Sequence, residues 1–242
     1  MEYAKLGNTD IEVSKLCIGC MSFGKAGTMH DWTLDAQESE KVIKHALKLG
    51  INFFDTANCY SAGTSEEYLG QALKKNVARD KVVIASKVYF NEGRLSKAAI
   101  EREIDGSLKR LGTDYLDLYI IHRFDFDTPI EETMGALADI VRQGKALYVG
   151  ISNYDADQTR KALAVLKEHK VPCLIHQARY SMFDRWTEPD LLPVLKEEGV
   201  GMIAFSTLAQ GLLTDKYLRG IPENSRAAKS TGHLQTSQVT PE

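Results

Sequence analysis

The chain has 242 residues, of which 43% are hydrophobic and 26% charged, which is enough apolar content for one full core. A formal net charge of −3, with acids and bases interspersed, gives no electrostatic footprint for nucleic acid or for a membrane surface. No apolar stretch approaches the roughly 20 residues needed to span a bilayer, and Met1 to Lys5 lack the start of a secretory signal. We therefore expect one cytoplasmic domain over residues 1–242 that binds a small molecule. Nothing in the sequence indicates an oligomeric state.

The predicted elements alternate along the chain between short apolar runs and longer segments of helical period, a pattern typical of βα units and a parallel sheet. Seven strands are predicted: Lys15 to Met21, Asn52 to Thr56, Lys81 to Lys87, Leu116 to His122, Ala146 to Ser152, Cys173 to Gln177 and Gly201 to Ser206. The helices between them are predicted near Gln37 to Leu49, Ser65 to Lys75, Ser96 to Leu111, Pro129 to Gln143, Asp155 to Lys167 and Glu188 to Glu198. Before the first strand, Leu6 to Val13 read as a turn between two short strands, a hairpin expected to plug one end of a barrel.

The pattern changes after Ser206, because residues 220–238 are polar and loop-like. Thr240, Pro241 and Glu242 then resemble the first residues of a helix. Seven units without an eighth favour a (β/α)8 barrel whose final βα unit and C-terminal helices are absent from this chain. The alternative is a complete open α/β sheet, but no G-x-G-x-x-G turn of a doubly wound nucleotide fold follows the first strand.

Four cysteines are too few and too scattered for a disulfide framework: Cys17, Cys20, Cys59 and Cys173. The spacing Cys17-x-x-Cys20 permits a redox or metal site, but in a strand it would send the two side chains to opposite faces. His122 has no second His or Cys close by in sequence, so no metal site is expected.

Three apolar runs end on a side chain that can handle a proton: Asp55, Lys87 and His122, with Tyr60 in the loop after Asp55. In a parallel sheet these strand ends lie on one face, where such folds place their chemistry. Taken singly, each residue also has a structural interpretation: a turn cap, a half-buried aromatic or a hydrogen-bonded histidine. Lys87 is the hardest to explain in this way, because an amine at the end of an apolar strand is costly unless it is paired.

Together these residue types predict a pocket that polarises a carbonyl group. A tyrosine with a reference pKa of about 10 donates a proton poorly unless a nearby cation stabilises its phenolate. Lys87, oriented by Asp55, can supply that charge, while His122 aligns the same substrate oxygen. None of these side chains can supply a hydride, so a reduced cofactor is expected.

With these residues the chain resembles the aldo-keto reductase superfamily, from the N-terminal hairpin to about Ala228. The resemblance rests on Asn52-Phe53-Phe54-Asp55-Thr56-Ala57, Ser86-Lys87, Ile121-His122-Arg123 and Val149-Gly150-Ile151-Ser152-Asn153. It implies an NADP(H)-preferring (β/α)8 barrel that uses NADPH to reduce aldehydes and some ketones, with Asp55, Tyr60, Lys87 and His122 as catalytic residues. It also implies relatives among bacterial reductases and potassium-channel beta subunits.

The resemblance extends to further positions that would hold the cofactor: Cys20, Met21, Asp55, Ser152, Asn153, Gln177, Phe205, Ser206, Leu208, Gln210, Lys216 and Arg226. Ser152, Asn153 and Gln177 match positions that hold the nicotinamide carboxamide, and Phe205 matches the aromatic that stacks on the ring. Lys216 and Arg226 match residues that contact the phosphates, although a solvated loop is the alternative interpretation. The family's last strand and helix, which hold the adenosine 2′-phosphate, have no counterpart here, so the choice between NADPH and NADH is not readable.

The loops on the catalytic face supply a predicted substrate wall: Met21, Phe23, Trp32, Tyr89, Arg123 and Phe124. Arg123 would favour acidic or phosphorylated carbonyl compounds, unless it forms a surface ion pair. Two other functions stay open: a cofactor-sensing binding subunit with little turnover, and a lyase or aldolase that uses Lys87 as a Schiff-base nucleophile.

Overall fold

The computed structural model describes residues 1–28, 32–229 and 234–240. An antiparallel hairpin of β1 (Tyr3–Lys5) and β2 (Glu12–Ser14) precedes the main sheet. Strands of the main sheet lie side by side in chain order, and all neighbouring pairs are parallel. They are β3 (Ile18–Gly19), β4 (Phe53–Asp55), β5 (Val83–Val88), β6 (Leu116–Ile121), β7 (Ala146–Ser152), β8 (Cys173–Arg179) and β9 (Gly201–Phe205).

A helix follows each of the first six strands of this sheet. The helices are α1 (Ala36–Lys48), α2 (Thr64–Asn76), α3 (Lys97–Leu111), α4 (Ile130–Arg142), α5 (Ala156–Glu168) and α6 (Leu191–Glu197). The fold is therefore an α/β, TIM-barrel-like arrangement with an N-terminal hairpin, and these parts of the prediction are confirmed. Within the described ranges, no helix combines the length and apolar character that crossing a bilayer requires.

Two predicted elements differ from the structure. The strand predicted at Lys15 to Met21 pairs only over Ile18–Gly19, because the next residues, Cys20–Ser22, form a single 3-10 turn. The helix predicted at Glu188 to Glu198 is shorter, since α6 begins at Leu191 after a turn. Of the predicted helix start at the end of the sequence, Pro241 and Glu242 lie outside the described residues.

The strands carry apolar residues on both faces, as parallel strands covered on both sides do. One set, which includes Phe54 and Ile84, packs outward against the helices, and the other, which includes Phe53 and Val83, packs inside the sheet. Leu6 and Val13 belong to the inner set: Leu6 lies just after β1 and Val13 lies in β2. The hairpin therefore packs against the inner face of the sheet, as predicted.

Successive side chains of a β-strand point to opposite faces of the sheet, and this alternation determines where the polar residues of the strands point. Lys87 shares its parity in β5 with Val83 and Ala85 of the inner set, and Asp55 shares its parity in β4 with Phe53. Both side chains therefore point inside the sheet, at its carboxyl end.

Close packing of α2 on the end of α3 gives a first prediction. A Cβ added at Gly70 would stand 2.1 Å from the Leu111 carbonyl oxygen, so Gly70→Ala must push two helices apart. We expect it to lower the free energy of unfolding by about 1–3 kcal/mol, the usual cost of overpacking. Denaturant unfolding followed by circular dichroism measures this change.

The matched control is Gly135→Ala in α4, where the nearest atom to an added Cβ is 3.6 Å away on His169. Here the substitution removes a flexible helical glycine without a clash, so it should be neutral or stabilise by up to about 1 kcal/mol. Equal effects of the two substitutions would contradict the packing of α2 against α3 described above.

Candidate active site

The strand register brings the four predicted catalytic residues to one end of the sheet. Asp55 of β4 pairs with Ala85 of β5, and Lys87 pairs with Ile120 of β6. His122 follows β6 directly, and its backbone N–H donates to the Val88 carbonyl. These contacts carry three side chains from three neighbouring strands to a common edge.

Lys87 is the centre of this group. Its side chain is fully buried, and its Nζ donates to Asp55 Oδ2 at 2.7 Å, to the Thr56 carbonyl at 2.6 Å and to Tyr60 Oη at 3.2 Å. Burial alone disfavours the ammonium, but the Asp55 carboxylate and the Tyr60 hydroxyl more than offset it and raise the pKa of Lys87. Its three donors match the three acceptors, so the cation is held in one geometry.

Tyr60 begins a short 3-10 segment, Tyr60–Gly63, that turns the chain sharply into α2. Ser61 and Ala62 have φ of 47° and 53°, left-handed values that strain residues other than glycine. The Tyr60 ring stands 4.7 Å from Lys87 Nζ. Burial raises the pKa of Tyr60, and the charge of Lys87 acts against that rise, so the phenol is protonated at neutral pH.

His122 lies next to Tyr60 in this group. Its ring meets the Tyr60 ring edge-on at 5.7 Å between centroids and the Phe90 ring at 5.1 Å. Burial lowers the pKa of His122 to about 3, and the positive charges of Lys87 and Arg123 act in the same direction. The imidazole is therefore neutral at physiological pH and can offer one N–H and one lone pair.

Asp55, Tyr60 and His122 line a cavity of about 670 Å³, and the buried Lys87 contacts it only through Asp55 and Tyr60. The predicted cofactor residues that line it are Met21, Asp55, Ser152, Asn153, Gln177, Phe205, Ser206, Leu208, Gln210, Lys216 and Arg226. Gln177 Nε2 donates to Asp55 Oδ1 at 3.1 Å, which joins this wall to the Lys87 group. Elsewhere in the cavity, Arg226 donates to Gln210 Oε1 at 2.7 Å, and its guanidinium lies 5.5 Å from the centre of the Trp32 ring.

Several predicted residues stand away from the cavity. Cys20 is fully buried, and its carbonyl accepts from Ser65 Oγ at 2.7 Å. Phe23 is buried in the outer core, where its backbone bridges to Leu34. Tyr89 and Phe124 pack against that core and do not line the cavity. Arg123 lines an adjoining groove instead.

The cavity also has walls that the sequence did not indicate, among them Cys59, Phe90 and Tyr217. Phe90 lies two residues after the end of β5 and is half exposed. Loops that follow the carboxyl ends of parallel strands lie on the same face as Lys87, and this position was the available signal for Phe90. Cys59 Sγ lies 3.9 Å from His122 Nδ1. Burial raises the pKa of the Cys59 thiol to about 11, so the thiol is protonated.

Comparisons of sequence and of structure with known proteins indicate the same family. Residues 15–240 match the profile of the Aldo/keto reductase family. L-glyceraldehyde 3-phosphate reductase of Escherichia coli K12 is 41% identical over 93% of this chain and 67% of its own length. A probable voltage-gated potassium channel subunit beta of Oryza sativa is 36% identical over 94% of this chain and 70% of its own length.

A solved structure shares the fold as well. It is the crystal structure of Tm1743, a thermostable aldo-keto reductase in complex with the inhibitor epalrestat. The TM-score is 0.79 and the identity 36%, over 89% of this chain and 76% of that one.

The environment of His122 predicts its titration. With a pKa of about 3 against an ordinary value of 6.5, the ring should stay neutral from pH 8 to pH 5, so its NMR ring signals should not move in that range. Between pH 6.5 and pH 3, His122 is protonated in the unfolded chain but not in the folded chain. Acidification therefore favours the unfolded state, and the free energy of unfolding should fall as the pH falls from 6.5 toward 3.

The NMR ring signal of His122 is identified as the one that disappears in the His122→Asn variant. The variant should also lose less stability on acidification than the parent chain. A His122 signal that titrates near pH 6.5 would contradict the buried, cation-flanked environment.

Proposed function

Because the chain belongs to the Aldo/keto reductase family, we propose that it reduces aldehydes and some ketones to alcohols, with NADPH as the reductant. The observation that carries the proposal is the hydrogen bond from Lys87 Nζ to Tyr60 Oη at the wall of the cavity. It joins a proton donor to a buried cation at a place that a carbonyl compound can enter.

The proton chemistry follows from these contacts. Tyr60 accepts a hydrogen bond from Lys87, so its own O–H is left to donate to a carbonyl oxygen in the cavity. As the proton leaves, negative charge develops on the phenol oxygen, and the Lys87 ammonium at 3.2 Å stabilises it. Asp55 holds the ammonium in position, and a neutral His122 donates a second hydrogen bond to the same substrate oxygen.

The cavity residues fit a nicotinamide dinucleotide. Gln177 uses its amide N–H on Asp55, which leaves its carbonyl to accept from a carboxamide. Phe205 is partly exposed at the cavity wall and offers a stacking face, while Lys216 and Arg226 line the same cavity as two cations that suit the phosphates of such a cofactor. When bound, the reduced cofactor supplies the hydride that none of these side chains can provide. NADPH is proposed over NADH because of the resemblance to NADP(H)-preferring enzymes.

Two observations bear on the alternatives. The likeness to a potassium channel subunit beta keeps open a second function, a binding subunit that senses the cofactor with little turnover. A Schiff-base lyase is disfavoured, because the raised pKa of Lys87 keeps its amine protonated and therefore not nucleophilic. The names of two relatives, L-glyceraldehyde 3-phosphate reductase and versiconal hemiacetal acetate reductase, support small carbonyl compounds as the substrate class.

Tyr60→Phe tests the proposal. Loss of the proton donor should lower kcat for aldehyde reduction by about 10²- to 10⁴-fold, the range for general acid catalysis, while NADPH still binds. The decrease in NADPH absorbance with an aldehyde measures turnover, and fluorescence titration measures cofactor binding.

Tyr119→Phe is the matched control, since it removes the same atom from a buried tyrosine whose hydroxyl has no hydrogen-bond partner among the described residues. Its turnover should equal that of the parent chain. Undiminished turnover in Tyr60→Phe would refute the acid role, and tight NADPH binding by the parent without turnover would favour the sensing subunit.

A further inference from the structure

A groove of about 580 Å³ adjoins the catalytic cavity and shares part of its wall. Phe90, His122, Asn153 and Phe205 line both spaces, so the two are continuous across the His122 side chain. A substrate with its carbonyl group at Tyr60 and His122 can therefore extend into the groove. We call this space the Arg123 groove, after the cation that follows His122 in the chain.

Arg123 has no carboxylate partner among the described residues. Its guanidinium lies 5.7 Å from the centre of the Tyr89 ring and is exposed. Arg94, whose guanidinium lies over the same ring, differs, because it pairs with Asp125 and Asp127. The positive charge of Arg123 already acts on His122, where it helps to lower the pKa of the imidazole. Arg123 is thus a cation next to His122, with no counter-ion in the part of the chain that the structure describes.

The other two charged residues that line the groove already have partners in the protein. Arg179 forms an ion pair with Asp184. Asp155 accepts the backbone N–H of Gln158 at 2.8 Å as the N-cap of α5. A carboxylate already bound to the first turn of a helix is stabilised there and repels an incoming anion less. Arg123 therefore dominates the attraction for an anion.

Aromatic side chains line the groove together with Arg123. Phe90 is 52% exposed and Trp186 40% exposed, which leaves apolar surface for the body of a ligand. Trp186 is fixed by a hydrogen bond from its Nε1 to the Arg179 carbonyl at 2.9 Å. A groove lined by aromatic rings and by a guanidinium without a carboxylate partner among the described residues suits a molecule with an apolar or compact body and an anionic end.

We propose that the Arg123 groove binds the anionic end of the substrate, and that Arg123 makes the chain prefer aldehydes with a carboxylate or phosphate group a few atoms from the carbonyl. The inference rests on the proposed carbonyl reduction and names the substrate class of that site. Arg123 contacts the substrate end remote from the reacting carbon and determines specificity.

Paired substrates of similar shape test the proposal. 4-Carboxybenzaldehyde is compared with its neutral methyl ester, and glycolaldehyde phosphate with glycolaldehyde, each with NADPH. The anionic member of a pair should have a kcat/KM about tenfold higher, the effect of one charge-assisted hydrogen bond, and the advantage should shrink as salt is added. A preference in one pair only identifies that anion as the ligand, and no preference in either pair overturns the proposal.

Arg123→Gln should remove the preference by lowering kcat/KM for the anionic substrates about tenfold, with less than a twofold change for the neutral ones. Arg123→Lys should restore part of it. Arg142→Gln, which deletes the same charge on the outside of α4, is the control and should keep the full preference. An equal loss on anionic and neutral substrates in Arg123→Gln would overturn the specificity role.

A binding measurement separates this proposal from the proposed function. In Trp32→Phe, Trp186 is the only tryptophan left in the chain, so its fluorescence reports occupation of the groove by 4-(hydroxymethyl)benzoate. Binding that Arg123→Gln weakens about tenfold supports the groove even if no aldehyde is reduced. Reduction of neutral aldehydes without Arg123-dependent binding refutes the groove and leaves the reductase proposal standing.

Discussion

The burial of one charged amine is the constraint on which this structure depends. Lys87 has no exposed surface, so each N–H of its ammonium must find an acceptor inside the protein. Asp55, the Thr56 carbonyl and Tyr60 provide these acceptors, two of them from the end of the neighbouring strand and one from the loop that follows it. The register of β4 against β5 and the strained turn after Tyr60 are therefore tied to a single cation. Replacing such a pair by apolar residues often stabilises a protein, so its retention points to chemistry rather than to stability.

The same charge shapes the electrostatics of the cavity. Lys87 stabilises the phenolate form of Tyr60 and, together with burial and Arg123, keeps His122 neutral. Tyr60 can therefore donate a proton, and His122 can donate a hydrogen bond as a neutral ring. Cations also stand at two further places: Lys216 and Arg226 at the cavity wall, and Arg123 at the groove beyond His122. Lys216 and Arg226 therefore line the cavity, whereas Arg123 lines only the adjoining groove.

The sequence predicted which residues lie together at the candidate site better than it predicted the loops around them. Asp55, Lys87 and His122 could be found because each ends a clear apolar run, and parallel strands place such ends together. Cys20 was expected at the site from the family resemblance, and Phe23 from its place in a loop on the predicted catalytic face. The first strand of the main sheet stops at Gly19, and the 3-10 turn after it sends Phe23 into the outer core. Phe90 was missed because a loop residue two positions after a strand carries no periodic signal, although its ring packs directly on His122.

Aldehyde turnover by the double variant Asp55→Asn/Lys87→Met, with its free energy of unfolding measured on the same sample, tests the central claim most directly. Lys87→Met alone leaves a buried carboxylate without its cation and should destabilise the fold by about 3–5 kcal/mol. Adding Asp55→Asn should recover much of that loss, because the unpaired charge is removed, yet turnover should remain at least about 10²-fold below that of the parent chain. A double variant that is well folded and reduces aldehydes at the parental rate would contradict the account.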